Sequence, residues 1–126
     1  MTPNCPFCQL SESRVLKSTA YSLAIRDSFP ISEGHTLVVP ITHVSSIYEL
    51  GEEELLDLWA LAGKVREDLK ASYSPDAFNI GINDGWAAGQ TVEHAHVHVI
   101  PRWEGDVLDP RGGIRWVIAE KAKYWE

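Results

Sequence analysis

Apolar and polar positions alternate along four stretches of the chain, and this two-residue period is typical of half-buried β-strands. The stretches span residues 15–27, 34–40, 77–83 and 94–100. The first contains the turn-like Ser18-Thr19-Ala20 and ends in Asp27-Ser28-Phe29-Pro30, so it predicts a hairpin of two strands. The alternation therefore predicts five strands.

One longer stretch follows a helical period. Between residues 49 and 73 apolar side chains recur at spacings of three and four, which predicts one long amphipathic helix ended by Ser74-Pro75-Asp76. Its predicted buried stripe consists of Leu55, Leu58, Trp59, Ala62, Val65 and Leu69. Towards the end of the chain, residues 114–118 predict a last strand and residues 119–126 a short helical tail.

These elements predict a single α+β domain over residues 1–126, with a Cys-x-x-Cys segment at its start and a tryptophan-rich tail at its end. We expect a five-stranded, mostly antiparallel sheet that carries the long helix on one face. The strand at residues 94–100 is expected to lie centrally. In the strand at residues 77–83, Phe78, Ile80 and Ile82 are expected to point inward.

Three of the five histidines alternate with small apolar residues in the strand at 94–100. Alternate residues of a strand share one face, so His94, His96 and His98 are expected to lie side by side. A neutral imidazole is both a nucleophile and a metal ligand. The row therefore indicates a chemical site. A metal site on the strand and a chance polar face remain the alternatives.

Both cysteines lie near the start of the chain, as Cys5-Pro6-Phe7-Cys8. This spacing is typical of half a zinc site or of a redox pair, and an exposed reduced pair is a third interpretation. A structural zinc takes four nitrogen or sulfur ligands, so two histidines would have to complete it.

Composition narrows the classes of ligand. A net charge of −7 argues against a nucleic-acid polymer or an anionic membrane surface. The chain has neither an 18-residue apolar run nor a signal-peptide pattern, and we expect a cytoplasmic protein. An anionic ligand would therefore be held by local donors, for which the small residues of Gly85–Thr91 leave room.

The histidine stretch resembles the histidine triad (HIT) signature. The matching residues are His94-Ala95-His96-Val97-His98-Val99-Ile100, preceded by Gly89-Gln90-Thr91-Val92 and followed by Pro101-Arg102. The segment Gly34-His35-Thr36-Leu37-Val38-Val39-Pro40, with His43 after it, also resembles the family. The resemblance implies the fold predicted above, commonly paired into a homodimer with a continuous sheet.

The resemblance also implies roles for individual residues. His96 is expected to attack the α-phosphate through Nε2 while a backbone carbonyl holds its Nδ1–H, and His98 to assist the leaving group. His94 and His35 would complete the catalytic imidazoles, His35 by orienting the others. The implied substrate-binding residues are Asp27 for the ribose hydroxyls and Asn83, Gln90 and Thr91 for the phosphate. The implied ligands of a structural zinc are Cys5, Cys8, His43 and His94.

The resemblance implies a nucleotide hydrolase that acts on a purine nucleotide or dinucleotide. The substrate would be a dinucleoside polyphosphate, such as a diadenosine polyphosphate, or a nucleoside phosphoramidate. Because related uridylyltransferases carry Gln where this chain has His98, a hydrolase or phosphoramidase is favoured over a transferase. No metal is required for this chemistry. A metal-dependent hydrolase and a non-catalytic nucleotide-sensing module remain the alternatives.

Overall fold

A computed structural model describes residues 4–126 and contains one five-stranded sheet. Its strands are β1 (Val15–Ser18), β2 (Ser22–Arg26), β3 (Thr36–Pro40), β4 (Ala77–Gly81) and β5 (Val97–Arg102). Their order is β1-β2-β3-β5-β4, and each neighbouring pair is antiparallel. The predicted sheet is confirmed, except that β3 takes the middle place and β5 lies next to it.

The single long helix, α1 (Glu52–Tyr73), covers one face of the sheet. Its buried side chains are Leu58, Leu61, Ala62, Val65 and Leu69. Trp59, predicted for this stripe, is 41% exposed, because it lies about 100° around the helix from Leu58. The helix begins three residues later than predicted. Glu49 instead closes a capping box with Ser46 in a preceding 3₁₀ turn, and Gly51 caps α1.

The sheet has an apolar cluster on each face. Between sheet and helix, Ala24, Val38, Val97 and Val99 pack against the buried side of α1. Phe78 and Ile82 join this core as predicted, whereas Ile80 is 41% exposed because β4 is an edge strand. On the opposite face, which we call the open face, a smaller cluster contains Ile25, Leu37 and Val39 with Phe7, Leu10 and Leu23 against them.

Strand β5 begins at Val97, three residues later than the histidine pattern predicts. The last ladder pair with β3 is Val38 with Val97. Pro40 has no N–H with which to extend the ladder, and its carbonyl accepts from His94 instead. Ala95 donates its N–H to the carbonyl of Val44. His94 and His96 therefore lie outside the sheet, and His98 is the one triad histidine within a regular strand.

The predicted strand at residues 114–118 is wrong. Gly113–Lys121 forms 3₁₀ turns with a kink at Ile118. Local bonds hold this segment: the Trp116 indole donates to the Arg111 carbonyl, and the Arg115 guanidinium donates to the carbonyls of Lys121 and Ala122. Among residues 4–126, no helix is long and apolar enough to cross a membrane.

Candidate active site

The five imidazoles and one phenyl ring form a continuous row across the open face. His35 Nε2 lies 2.9 Å from His98 Nδ1, and the rings of His98 and His96 are 5.0 Å apart. Phe7 follows, with its ring centre 5.1 Å from that of His96 and 5.7 Å from that of His94. His43 ends the row, 4.9 Å from His94. The structure thus brings the predicted histidines together, although not on one strand.

His96 is held in one tautomer. Its Nδ1 lies 2.9 Å from the carbonyl oxygen of His94, so Nδ1 carries the proton and donates it. The other ring nitrogen, Nε2, then keeps a free lone pair. This is the arrangement predicted from the sequence, and it suits a nucleophile.

A chain of hydrogen bonds also fixes the tautomers of His35 and His98. The backbone N–H of Ile31 donates to His35 Nδ1 at 3.2 Å, so the proton of this imidazole lies on Nε2. His35 Nε2–H donates to His98 Nδ1. His98 must therefore carry its own proton on Nε2, where it can donate to a ligand. This geometry would allow the orienting role of His35, which stays a prediction.

Asp27 lies beside this pair of imidazoles. One carboxylate oxygen is 3.4 Å from His35 Nε2 and 3.9 Å from His98 Nδ1, while the other accepts the N–H of Phe29 at 2.9 Å. The Asp27 carboxylate therefore lies within 4 Å of both imidazoles of this hydrogen-bonded pair.

A second group of side chains has the donors of a zinc site. Cys5 Sγ and Cys8 Sγ lie 3.4 and 3.6 Å from His94 Nδ1, and His43 Nδ1 lies 3.2 Å from Cys8 Sγ and 3.0 Å from His94 Nδ1. A tetrahedral zinc with ordinary bond lengths separates sulfur from nitrogen by about 3.6 Å and two nitrogens by about 3.3 Å. The donors that the resemblance implied therefore fit this metal within a few tenths of an ångström.

The hydrogen bonds of His94 agree with a ligand role. Its Nε2 donates to the Pro40 carbonyl at 2.7 Å, which leaves the Nδ1 lone pair facing the thiols. The ring is fully buried, and both nitrogens are engaged. This geometry suits a metal ligand, and the additional catalytic role of His94 stays a prediction.

Asp27, His35 and His98 also lie close enough together to suggest a metal. The Ile31 N–H, however, requires the His35 proton to be on Nε2, the nitrogen that a metal would need. These three residues are therefore better described as a hydrogen-bonded group than as a second metal site.

Comparison with known proteins identifies the family. The HIT domain profile matches residues 9–105, which is more than half of the chain. The chain belongs to the HIT family. A bis(5'-nucleosyl)-tetraphosphatase [asymmetrical] of Schizosaccharomyces pombe is 44% identical over 94 residues, 75% of this chain and 52% of the relative. The HIT chain thus spans about half the length of that protein.

Two further relatives bear on the site. A bis(5'-adenosyl)-triphosphatase of Dictyostelium discoideum is 36% identical over 97 residues, 77% of this HIT chain and 65% of the relative. The crystal structure of a Zn-bound histidine triad family protein from Mycobacterium smegmatis superposes with a TM-score of 0.75 at 34% identity. That match covers 84% of this chain and 80% of the other, and it confirms the HIT fold.

The predicted phosphate-binding residues of this HIT protein do not converge. Gln90 is buried, and its Nε2 donates to the carbonyls of Ser45 (2.8 Å) and Val92 (3.0 Å), while its Oε1 accepts from Gly85 N. Both N–H groups are thus used within the chain, and the phosphate role of Gln90 stays a prediction. Thr91 is exposed and lines a separate hollow of about 420 Å³.

Asn83 lies apart from Gln90 and Thr91, in a different hollow. It lines an open groove of about 1500 Å³ together with His35 and His98. The groove runs over β4 and β5 on the open face, and Trp103 and Trp116 contribute to its outer wall. The contribution of this tail was left open by the sequence. Phe7 was not predicted as a site residue. Its place between the two cysteines could have suggested that it lies beside their side chains.

We expect Gln90→Ala to lower the free energy of unfolding by about 2–3 kcal/mol, because it removes the three hydrogen bonds of a buried side-chain amide. Urea unfolding of the variant, beside Thr91→Ala as an exposed neighbour, measures this. Wild-type stability with a raised KM would instead support the phosphate role.

The buried imidazoles predict a dependence of stability on pH. Burial, with the neighbouring imidazoles of His96 and His35, lowers the pKa of His98 to about 4, although Asp27 opposes this. Burial also lowers the pKa of His35, and Asp27 again opposes it. An unfolded chain takes up the His98 proton near pH 6.5, whereas the native state resists it down to about pH 4. The free energy of unfolding therefore falls as the pH drops between these values.

We expect the His98 contribution to this fall to be about 3 kcal/mol. Urea unfolding at pH 7.5 and pH 4.5 should show a smaller loss for His98→Gln than for the wild type, since glutamine takes up no proton. The same loss in both proteins would mean that His98 is not the group responsible.

Proposed function

We propose that this HIT protein is a nucleotide hydrolase that cleaves at the α-phosphate through a covalent nucleotidyl-His96 intermediate. The observation that carries the proposal is the His96 hydrogen bond, which fixes Nδ1–H on the His94 carbonyl and leaves Nε2 free beside the donor His98. The hydrolase names of the two similar proteins support the same reaction class.

In the first step, the His96 Nε2 lone pair forms a bond to the α-phosphorus and the bond to the leaving group breaks. His98 Nε2–H donates to the phosphate oxygens and to the departing atom, since the His35 bond at Nδ1 holds it in the required tautomer. Because burial keeps His98 neutral at physiological pH, the ring donates this hydrogen bond without adding a charge beside His96.

In the second step, water displaces His96 from phosphorus and releases a nucleoside monophosphate. The Nδ1–H bond to the His94 carbonyl persists, so the returning imidazole recovers the same tautomer. We assign Asp27 to the ribose hydroxyls and Asn83 to the phosphate. Asp27 lies beside His35 and His98, and Asn83 lines the groove beside His98.

Between the two substrate classes we favour a dinucleoside polyphosphate. The groove beside His98, at about 1500 Å³, exceeds the roughly 300–1,000 Å³ of an ordinary small-ligand site. It therefore has room for a leaving group as large as a second nucleotide. A phosphoramidate, whose leaving amine is small, would not need this space.

We assign a structural role to zinc held by Cys5, Cys8, His43 and His94, since the free Nε2 of His96 needs no metal to act as a nucleophile. We also propose that two chains pair as a homodimer through the edge strand β4, whose Ile80 remains exposed. Both assignments concern the scaffold and not the bond-breaking step.

Incubation with diadenosine tetraphosphate and, separately, with a fluorogenic adenosine phosphoramidate tests the proposal. We expect turnover of both, with a larger kcat/KM for the tetraphosphate, before and after treatment with a chelator of loosely bound metal. Activity that disappears with the metal while the fold persists would support a metal-dependent hydrolase. Binding of AMP without consumption of either compound would support a nucleotide sensor.

A further inference from the structure

The short loop that supplies both cysteines also places an aromatic ring in the active site. Cys8 N–H donates to the Cys5 carbonyl at 3.2 Å, which closes a turn with Pro6 and Phe7 at its two central positions. Proline sets the backbone angle that the first central position of such a turn needs. The two ends of the turn are the two thiols of the metal site, so the position of Phe7 depends on theirs.

Phe7 lies between the metal ligands and the proposed nucleophile. Its ring meets that of His94 edge-on, at 5.7 Å and 88°, and that of His96 at 5.1 Å and 64°. It also packs against the open-face cluster. A ring wedged in this way limits how far the His96 side chain can turn about its own bonds.

Three contacts restrain the His96 ring, and two of them come from the metal site. These two are the His94 carbonyl, which belongs to a ligand residue, and Phe7, which lies between two ligands. The third contact is the His98 ring on the other side, at 5.0 Å and 63°. If the cysteine loop became disordered, the His96 ring would lose its contact with Phe7 but keep its contact with His98.

We propose that Phe7 is a positioning residue that couples metal occupancy at Cys5, Cys8, His43 and His94 to the orientation of the His96 imidazole. The metal then affects the rate without touching the substrate: it fixes the turn, the turn fixes Phe7, and Phe7 holds His96. In taking His96 as the nucleophile, this inference rests on the proposed function.

The test compares zinc-loaded Phe7→Ala and Phe7→Leu with the wild type. Zinc content per chain shows whether the loop is intact, and the nitrogen-15 shifts of the His96 ring report how fully Nδ1 holds the proton. We expect Phe7→Ala to keep zinc, to lose the single Nδ1–H tautomer, and to lower kcat about tenfold with a smaller change in KM. Phe7→Leu, which keeps most of the volume, should fall between the two.

Leu23→Ala is the matched control, because it truncates another apolar side chain of the same cluster from β2. It should retain the His96 signal and kcat of the wild type. Equal losses in Leu23→Ala and Phe7→Ala, or a wild-type His96 signal and kcat in zinc-loaded Phe7→Ala, would overturn the inference. If Phe7→Ala releases zinc, zinc-loaded Phe7→Leu decides by the same two readouts.

Removing zinc from the wild type provides a second arm. The His96 tautomer signal should broaden or split in the metal-free protein and return when zinc is added back. An unchanged signal in a folded metal-free protein would contradict the coupling. A wild type that consumes no nucleotide would refute the proposed function alone, since the ring signal still decides the role of Phe7.

Discussion

Replacing His96 with alanine is expected to reduce turnover by about 10⁴-fold or more, because the substitution removes the group that we propose forms the bond to phosphorus. AMP affinity and stability should change little, since the His96 ring is only partly buried and its one hydrogen bond goes to a neighbouring carbonyl. Turnover of diadenosine tetraphosphate, AMP binding by calorimetry and zinc content measure the three quantities on one preparation.

The matched variant for this experiment is His98→Gln, which keeps a hydrogen-bond donor and an acceptor but takes up no proton. We expect it to retain more activity than His96→Ala, because the nucleophile remains. An active His96→Ala enzyme would assign the nucleophile to another residue. A variant that loses AMP binding together with turnover would place His96 in binding and not in bond formation.

Replacing Cys8 with serine is expected to produce the largest loss of stability. Structural zinc supplies about 10–16 kcal/mol to the folding of zinc-finger peptides, and if about a third of that applies here, the Tm falls by roughly 15 °C. The reason is local: without the metal, four donors converge with no cation between them, and burial raises the pKa of the Cys5 thiol. Calorimetry with measured zinc content checks this.

Ser11→Ala is the control for Cys8→Ser, because it lies in the same segment and its side chain forms an exposed hydrogen bond with the hydroxyl of Ser13. It should retain both zinc and the wild-type Tm. A zinc-free wild type with the Tm of the loaded protein would show that the four donors hold no structural metal.

Helices and strands were predictable from the sequence where a local pattern of apolar residues determines them. The spacing of Leu58, Ala62, Val65 and Leu69 is enough to predict α1. Residues three and four apart lie on one side of a helix, and this apolar side is buried against the sheet. The start of β5 was not predictable from the histidine alternation. It depends on Pro40, which lies in another strand and has no N–H to offer.

The roles of side chains were predictable to different degrees. The free Nε2 of His96 and the neighbouring His35 follow the resemblance closely. The partners of Gln90 could not be predicted. An amide suits a phosphate donor, but in the structure its hydrogen bonds go to the backbone of Ser45, Gly85 and Val92. Phe7 was missed because its place beside His94 and His96 depends on how the cysteine loop folds, and the spacing of the two cysteines alone leaves that open.

The most direct test of the covalent mechanism is rapid acid-free quenching of a turnover mixture, followed by mass spectrometry of the peptide that contains the triad. We predict one added nucleoside monophosphate, joined through a phosphorus–nitrogen bond to His96 and absent from His96→Ala. Active turnover in the same sample with no nucleotide on this peptide, or with the nucleotide on another residue, would contradict it.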